Sequence, residues 1–295
     1  MFPAGKRTGL SHDIVGCQCA PIVKNRRNVE GRCWQRDLQV PPQGRGAASL
    51  SRISVEHAKL IRQLETIAPL DDDDRSALAA LPLRLKVFGA DQDIVREGER
   101  ATEACVILDG FVCRYKMTAG GRRQIVSFHF PGDLPDLQSL ALEVMDHSLA
   151  ALTQTRVAFV AHDAIVRAVE AHSGVAAALT KHALIDGSIF REWIANVGQR
   201  PALARIAHVI CECFVRMRAL GLAADTSFEL PLTQAEIGDA TGLSNVHVNR
   251  TMQELRRQGL IAIHGKTHSI LDWDQLQETA DFRPSYLHLR PEFIS

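Results

Sequence analysis

An α+β chain is predicted from three observations. Short apolar segments divided by glycines fill residues 85–160, a helical period runs over 171–199, and a capped helix pair with a trailing hairpin occupies 232–271. The first reads as an N-terminal antiparallel β-roll of jelly-roll type, the second as a long helix, and the third as a C-terminal winged helix-turn-helix. The implied plan is a disordered basic tail over 1–50, the roll over 51–170, the long helix over 171–199, the winged unit over 200–278 and a C-terminal tail over 279–295.

Composition bounds what such a chain can do. Its 295 residues suffice for about two cores, and 34 basic residues balance 34 acidic ones. Eight Lys/Arg against three acids crowd residues 1–50, whereas ten basic and eleven acidic residues follow from 200 onward. A salt-driven, sequence-blind polyanion binder is therefore disfavoured, and phosphate contacts must come from a local patch. No run approaches the ~18 apolar residues of a membrane span, and Lys6 and Arg7 precede no apolar stretch of a signal peptide. A cytoplasmic chain with reduced cysteines is expected. Cys17, Cys19 and Cys33 match no metal or iron–sulfur ligand spacing, and Cys211-x-Cys213 reads as packing rather than redox chemistry.

Taken in order, Leu60, Ile61, Leu64 and Ile67 predict an amphipathic helix within 54–70, followed by an acidic run, Asp71–Asp74, read as a solvated helix start. Strands are predicted at 85–88, 104–108, 111–115, 124–128, 149–152 and 156–160, with Asp109-Gly110 and Gly120-Gly121 as hairpin turns. In the long helix, Ile185, Ile189, Trp193 and Val197 step by four along one face. That stripe is predicted to be exposed and to form a two-stranded dimer seam. Pro201 breaks the helix before another predicted to reach Leu220.

The segment LTQAEIGDATGLSNVHVNRTMQELRRQGLI (232–261) carries the chemistry. Thr233 and Glu236 form a capping-box signature, Gly242 suits the positive φ of a tight turn, and Ser244 suits the N-cap of a second helix. That helix would bury Val248, Met252 and Leu255. Its other face offers Asn245, His247, Asn249, Arg250 and Gln253 to base edges or phosphates. The flanks of Gly265-Lys266 read as a wing with Lys266 at its tip.

These features together resemble the Crp–Fnr family of bacterial transcription regulators. The resemblance rests on REGERATEACVILDGFVCRYKMTAGGRRQIVSFHFPGD (96–133), RPALARIAHVICECFV (200–215) and the 232–261 segment, and covers about 54–275. It implies a homodimer reading a palindromic DNA site, with RNA polymerase as a further partner. Arg250 matches the Arg that reads a guanine edge; Ser244 and His247 match positions facing phosphate or groove edge. Asn245 and Val246 stand where the cAMP receptor protein has Arg and Glu, so a different half-site is implied.

The effector positions depart from that pattern. The pair that grips ribose in cAMP-binding members falls at Asp136-Leu137, and the Arg-Ser that grips phosphate falls at His147-Ser148. The adenine-facing helix positions are Phe190 and Arg191. With the neutralising Arg missing and Asp136 repelling phosphate, cAMP binding is not expected, no cofactor is evident, and His147 reads as a loop residue rather than a haem or metal ligand. The competing function is a sensor module acting through protein contacts, which leaves the winged unit unexplained. No catalytic motif supports an enzyme.

Overall fold

Leu60, Ile61 and Leu64 are buried on one face of the first helix, α1 (Val55–Glu65), in the computed structural model, which describes residues 53–293. The expected 1–50 tail, with Cys17, Cys19 and Cys33, lies outside the described residues. α2 (Asp72–Ala79) starts in a capping box, in which Asp71 accepts the Asp74 N–H at 2.8 Å and Asp74 accepts from Asp71 N at 3.2 Å. The acidic run is not simply solvated, because Asp74 is buried and its carboxylate also accepts the Val175 N–H at 3.1 Å. It thereby caps the start of the long helix.

The roll consists of β1 (Arg84–Phe88), β2 (Asp93–Val95), β3 (Glu103–Asp109), β4 (Val112–Met117), β5 (Arg123–His129), β6 (Ser148–Ala151) and β7 (Thr155–Ala161). They pair antiparallel in two sheets, of order β1-β7-β3 and β2-β6-β4-β5. Six of these strands lie where short apolar segments divided by glycines predict them; β2 is too short to leave a pattern. Gly110 turns β3 into β4 at φ 89°, and a Cβ there would lie 2.4 Å from Thr155 Oγ1 and 2.6 Å from Gln154 O. Both the φ and the space exclude a side chain. Gly110→Ala is expected to lower stability by about 2 kcal/mol or more, read as a fall in thermal midpoint.

Three helices carry the chain out of the roll: α3 (His162–Ala171), α4 (Ser173–Gln199) and α5 (Ala202–Ala219), the last beginning after Pro201. Here the expected seam is corrected. Ile185, Ile189 and Trp193 are 8%, 7% and 4% exposed, packed within the chain's own core, and Val197 is half-buried. Trp193 meets Phe128 of β5 edge-on at 5.6 Å. The exposed row of α4 is instead Ala177, Thr180, Leu184, Arg191, Ile194 and Gly198, with Leu184 and Ile194 68% and 73% exposed. The helix is apolar on two faces, and the bulkier row wins the intrachain core because it removes more apolar area from water.

The winged unit adds β8 (Ala223–Ala224), β9 (Ser227–Glu229), α6 (Gln234–Thr241), α7 (Asn245–Arg257), β10 (Ile261–His264), β11 (Thr267–Ile270) and α8 (Trp273–Ala280), its strands ordered β10-β11-β9-β8. One apolar core continues from the roll through α4 and α5 into this unit. Its polar centre is Glu212 on α5. Trp193 Nε1 donates to its two carboxylate oxygens at 3.2 and 3.1 Å, and Tyr286 OH donates at 2.7 Å. Arg216 joins this carboxylate at 3.4 Å to Asp133 of the roll at 2.8 Å.

The chain then runs back to its beginning. Leu287 is buried, Arg290 N donates to Thr66 O at 2.8 Å, and the Arg290 guanidinium donates to Glu65 O at 3.1 Å, closing the C-terminal end of α1. Among the described residues, no helix is long and apolar enough to cross a membrane.

Candidate nucleic-acid interface

Two short helices present the interface, and local chemistry sets each end. Thr233 Oγ1 accepts the Glu236 N–H at 3.2 Å while Glu236 Oε2 accepts the Thr233 N–H at 2.5 Å, the reciprocal cap that starts α6. Gly242 ends it in the left-handed region at φ 70°. Gly238, unmarked in the sequence reading, matters as much: a Cβ there would sit 2.7 Å from Leu243 O, so the turn closes only on a bare backbone. Ser244 then accepts the His247 N–H at 3.3 Å and starts α7.

α7 is sharply two-sided. Val248, Thr251, Met252 and Leu255 are buried, whereas Ser244, Asn245, Val246 and Arg250 are exposed, Val246 at 82%. His247 and Asn249 are half-buried, and Asn249 Oδ1 accepts from Gln253 Nε2 at 3.0 Å. Thr233 is exposed at the head of α6, and Lys266 is exposed beside Gly265 at the wing tip. A groove of about 400 Å³ between α7 and the wing is lined by Thr233, Gln234, Asn249, Gln253, Arg256 and Lys266. Of the residues the sequence offers to DNA, Ser244, Asn245, Val246 and Arg250 thus stand exposed on α7, and Asn249, Gln253 and Lys266 line the groove beside it. Arg257 bonds to Glu254 at 2.8 and 2.6 Å, holding that carboxyl down to about 2, so the acid on this helix is already paired.

Behind this face, Arg205 donates to Arg200 O at 2.7 Å and to Thr241 O at 3.1 Å, tying the break after α4 to the end of α6. Arg123 of β5 pairs with Asp239 of α6 at 2.8 Å. The helix pair is thereby anchored, through α6, to both α5 and the roll.

The predicted effector positions are only partly brought together. Asp136 is wholly buried, and its Oδ1 accepts the Cys105 N–H at 2.8 Å. Leu137 is buried beside it; His147 bonds to Asp146 at 2.6 Å and Gln138 at 3.2 Å; Ser148 accepts the Glu97 N–H at 3.0 Å. Phe190 of α4 meets this region through the Arg114 guanidinium, 4.8 Å from its ring centre, whereas Arg191 lies on the exposed face and folds back over Gly187. The residue that sequence reasoning missed is Arg114 of β4, 1% exposed, whose guanidinium donates to Asp186 Oδ2 at 2.9 Å. A single Arg in a strand gives no sign of facing inward.

Burial pushes Asp136 up to about 6, His129 down to about 4 and His208 down to about 3. In the unfolded chain each ring binds a proton near pH 6.5, so below that pH the unfolded state holds more protons and is favoured. Full stability is present above about pH 6.5 and falls toward pH 4, by about 3 kcal/mol for each ring. Asp136 opposes one ring, since its contribution is lost as pH rises from 3.8 through about 6. Denaturation at stepped pH is expected to show this slope, and His208→Gln to flatten it.

Two family models match the chain: a cyclic nucleotide-binding domain over residues 85–172 and a Crp-like helix-turn-helix domain over residues 204–279. Transcriptional activator protein FnrL of Cereibacter sphaeroides is 26% identical over 75% of this chain and 89% of its own length. Nitrogen fixation regulation protein FixK of Bradyrhizobium diazoefficiens is 29% identical over 63% of this chain and 77% of its own. The structure of FixK2 from Bradyrhizobium japonicum, 25% identical, superposes with a TM-score of 0.60 over 68% of this chain and 98% of that one.

Proposed function

Because the chain belongs to the Crp–Fnr family of transcription regulators, we propose that it reads a two-fold symmetric DNA site as a homodimer. The observation that carries this reading is the outward face of α7, where Ser244, Asn245, Val246 and Arg250 stand exposed with Lys266 across the groove. Arg250 would read a guanine by its O6 and N7, and Val246 would touch a thymine methyl. Lys266 and Thr233 would contact phosphate and fix register. The relatives are transcriptional activators, so regulation rather than catalysis is the function class.

The exposed row of α4 supplies the dimer seam. Ala177, Thr180, Leu184, Arg191, Ile194 and Gly198, with the half-buried Gly187 between Leu184 and Arg191, alternate steps of three and four, the spacing of a two-stranded coiled coil. Paired along it, two chains would offer two α7 helices to successive major grooves. The roll (51–170), long helix (171–199) and winged unit (200–278) would then act as scaffold, seam and reader. Acting on DNA with RNA polymerase as partner, the protein would work in the cytoplasm. Cyclic nucleotides are not its effectors, since a phosphate at the predicted site would face the buried Asp136.

Selection of bound sequences from a random duplex pool tests the reading. A two-fold symmetric motif is the expected result; absence of enrichment would overturn it.

A further inference from the structure

We infer that the Arg114 guanidinium occupies the place of a diffusible effector, holding the roll to the long helix from within the chain. The inference rests on the DNA-reading function only for its output.

Arg114 sits on β4 where the pairing with β5 shifts by one residue, a local irregularity that can re-aim a side chain. It is among the largest fully buried side chains of the described residues. Its Nη1 donates to Asp186 Oδ2 of α4 at 2.9 Å, and its guanidinium carbon lies 4.8 Å from the centre of the Phe190 ring, one turn further along the same helix. At the roll side, Nη2 donates to Pro135 O, directly before Asp136. One planar cation thus grips a roll loop by hydrogen bond, and a helix by ion pair and ring stacking. A small molecule coupling the same two elements would need such a combination of contacts.

The electrostatics select the same class of occupant. Asp136 and Asp186 both face the site, together with the neutral rings of His129 and His147, both held down by burial and by the Arg114 charge. A cation fits there and an anionic nucleotide does not. Arg114 Nε and Asp136 Oδ2 are buried without a hydrogen-bond partner among the described residues. A purely structural ion pair left so incompletely satisfied is a poor stabiliser, which leaves coupling of the two elements as what the buried charge provides.

The test converts the internal group into a ligand. In full-length Arg114→Ala, affinity for the selected DNA is expected to fall at least tenfold, and backbone hydrogen exchange over residues 183–194 to quicken. Millimolar methylguanidinium is expected to restore both, while methylammonium and urea restore neither. The wild-type chain should respond to none of these, nor to cAMP or cGMP. Unchanged exchange and affinity in Arg114→Ala, or a loss that methylguanidinium leaves in place, would overturn the inference. Should that variant fail to fold, Asp186→Asn is expected to quicken exchange over the same segment, and wild-type exchange there counts against the role. A wild-type chain that enriches no DNA defeats the regulatory function instead, and the exchange measurement still judges Arg114.

Discussion

Arg250→Ala is expected to lower affinity for the selected DNA site by roughly ten- to a hundredfold, the worth of about 1–3 kcal/mol for a bidentate guanine contact. The side chain is exposed and the helix is held by Val248, Met252 and Leu255 beneath it, so the substitution removes no core contact. The thermal midpoint should barely move. Because the proposed contact is to a base edge, preference should relax at one position of each half-site, with the salt dependence of binding unchanged. Lys266→Ala should do the reverse, weakening binding to all sequences alike and reducing the salt slope by about 1. Equilibrium binding at several salt concentrations separates the two. An Arg250→Ala protein selecting the same site at undiminished affinity would remove Arg250 from the reading face.

Ile194→Asp is expected to convert a dimer into a monomer at micromolar concentration, as read by light scattering. Ile194 is 73% exposed in the single chain, so aspartate there costs the isolated fold little. Across a two-fold seam the change counts twice. Each buried isoleucine is worth about 1.5–3 kcal/mol, and two like charges would be brought together as well. DNA affinity should collapse with the dimer, because a monomer reads only one half-site. Ile189→Asp provides the contrast, since that residue is 7% exposed within the chain's own core, and its variant should lose folded structure before it loses association. An Ile194→Asp chain that keeps its dimer mass would move the seam elsewhere.

The two substitutions also mark where the sequence was legible. The strands of the roll betray themselves as short apolar segments set between glycines, and α6 and α7 by end chemistry: Thr233, Glu236, Gly242 and Ser244 each satisfy a local backbone need that residue type announces. The facing of α4 was not legible. Its apolar residues lie in two rows, and which row meets the roll depends on shapes brought together only by folding. Arg114 is obscure for a related reason, since an inward-pointing arginine looks like any strand arginine until Asp186 and Phe190, over seventy residues on, arrive beside it. The C-terminal segment left no period at all. It docks by Tyr286 to a buried carboxylate and by Arg290 to backbone carbonyls, partners that no sequence spacing encodes.

That docking closes the described residues 53–293 into a ring without a covalent bond. The first helix described and the last turn of chain hold each other through Arg290, and Phe293 lies 4.8 Å beneath the Arg62 guanidinium. Among the described residues, the last turn is therefore not free to peel away by itself. Fraying of the C-terminal segment must first break its contacts on α1, so the winged unit and the roll should melt in one transition rather than in sequence. The break after α4 is then a joint inside a closed circuit, free to flex only as far as both α4 and the returning C-terminal segment allow.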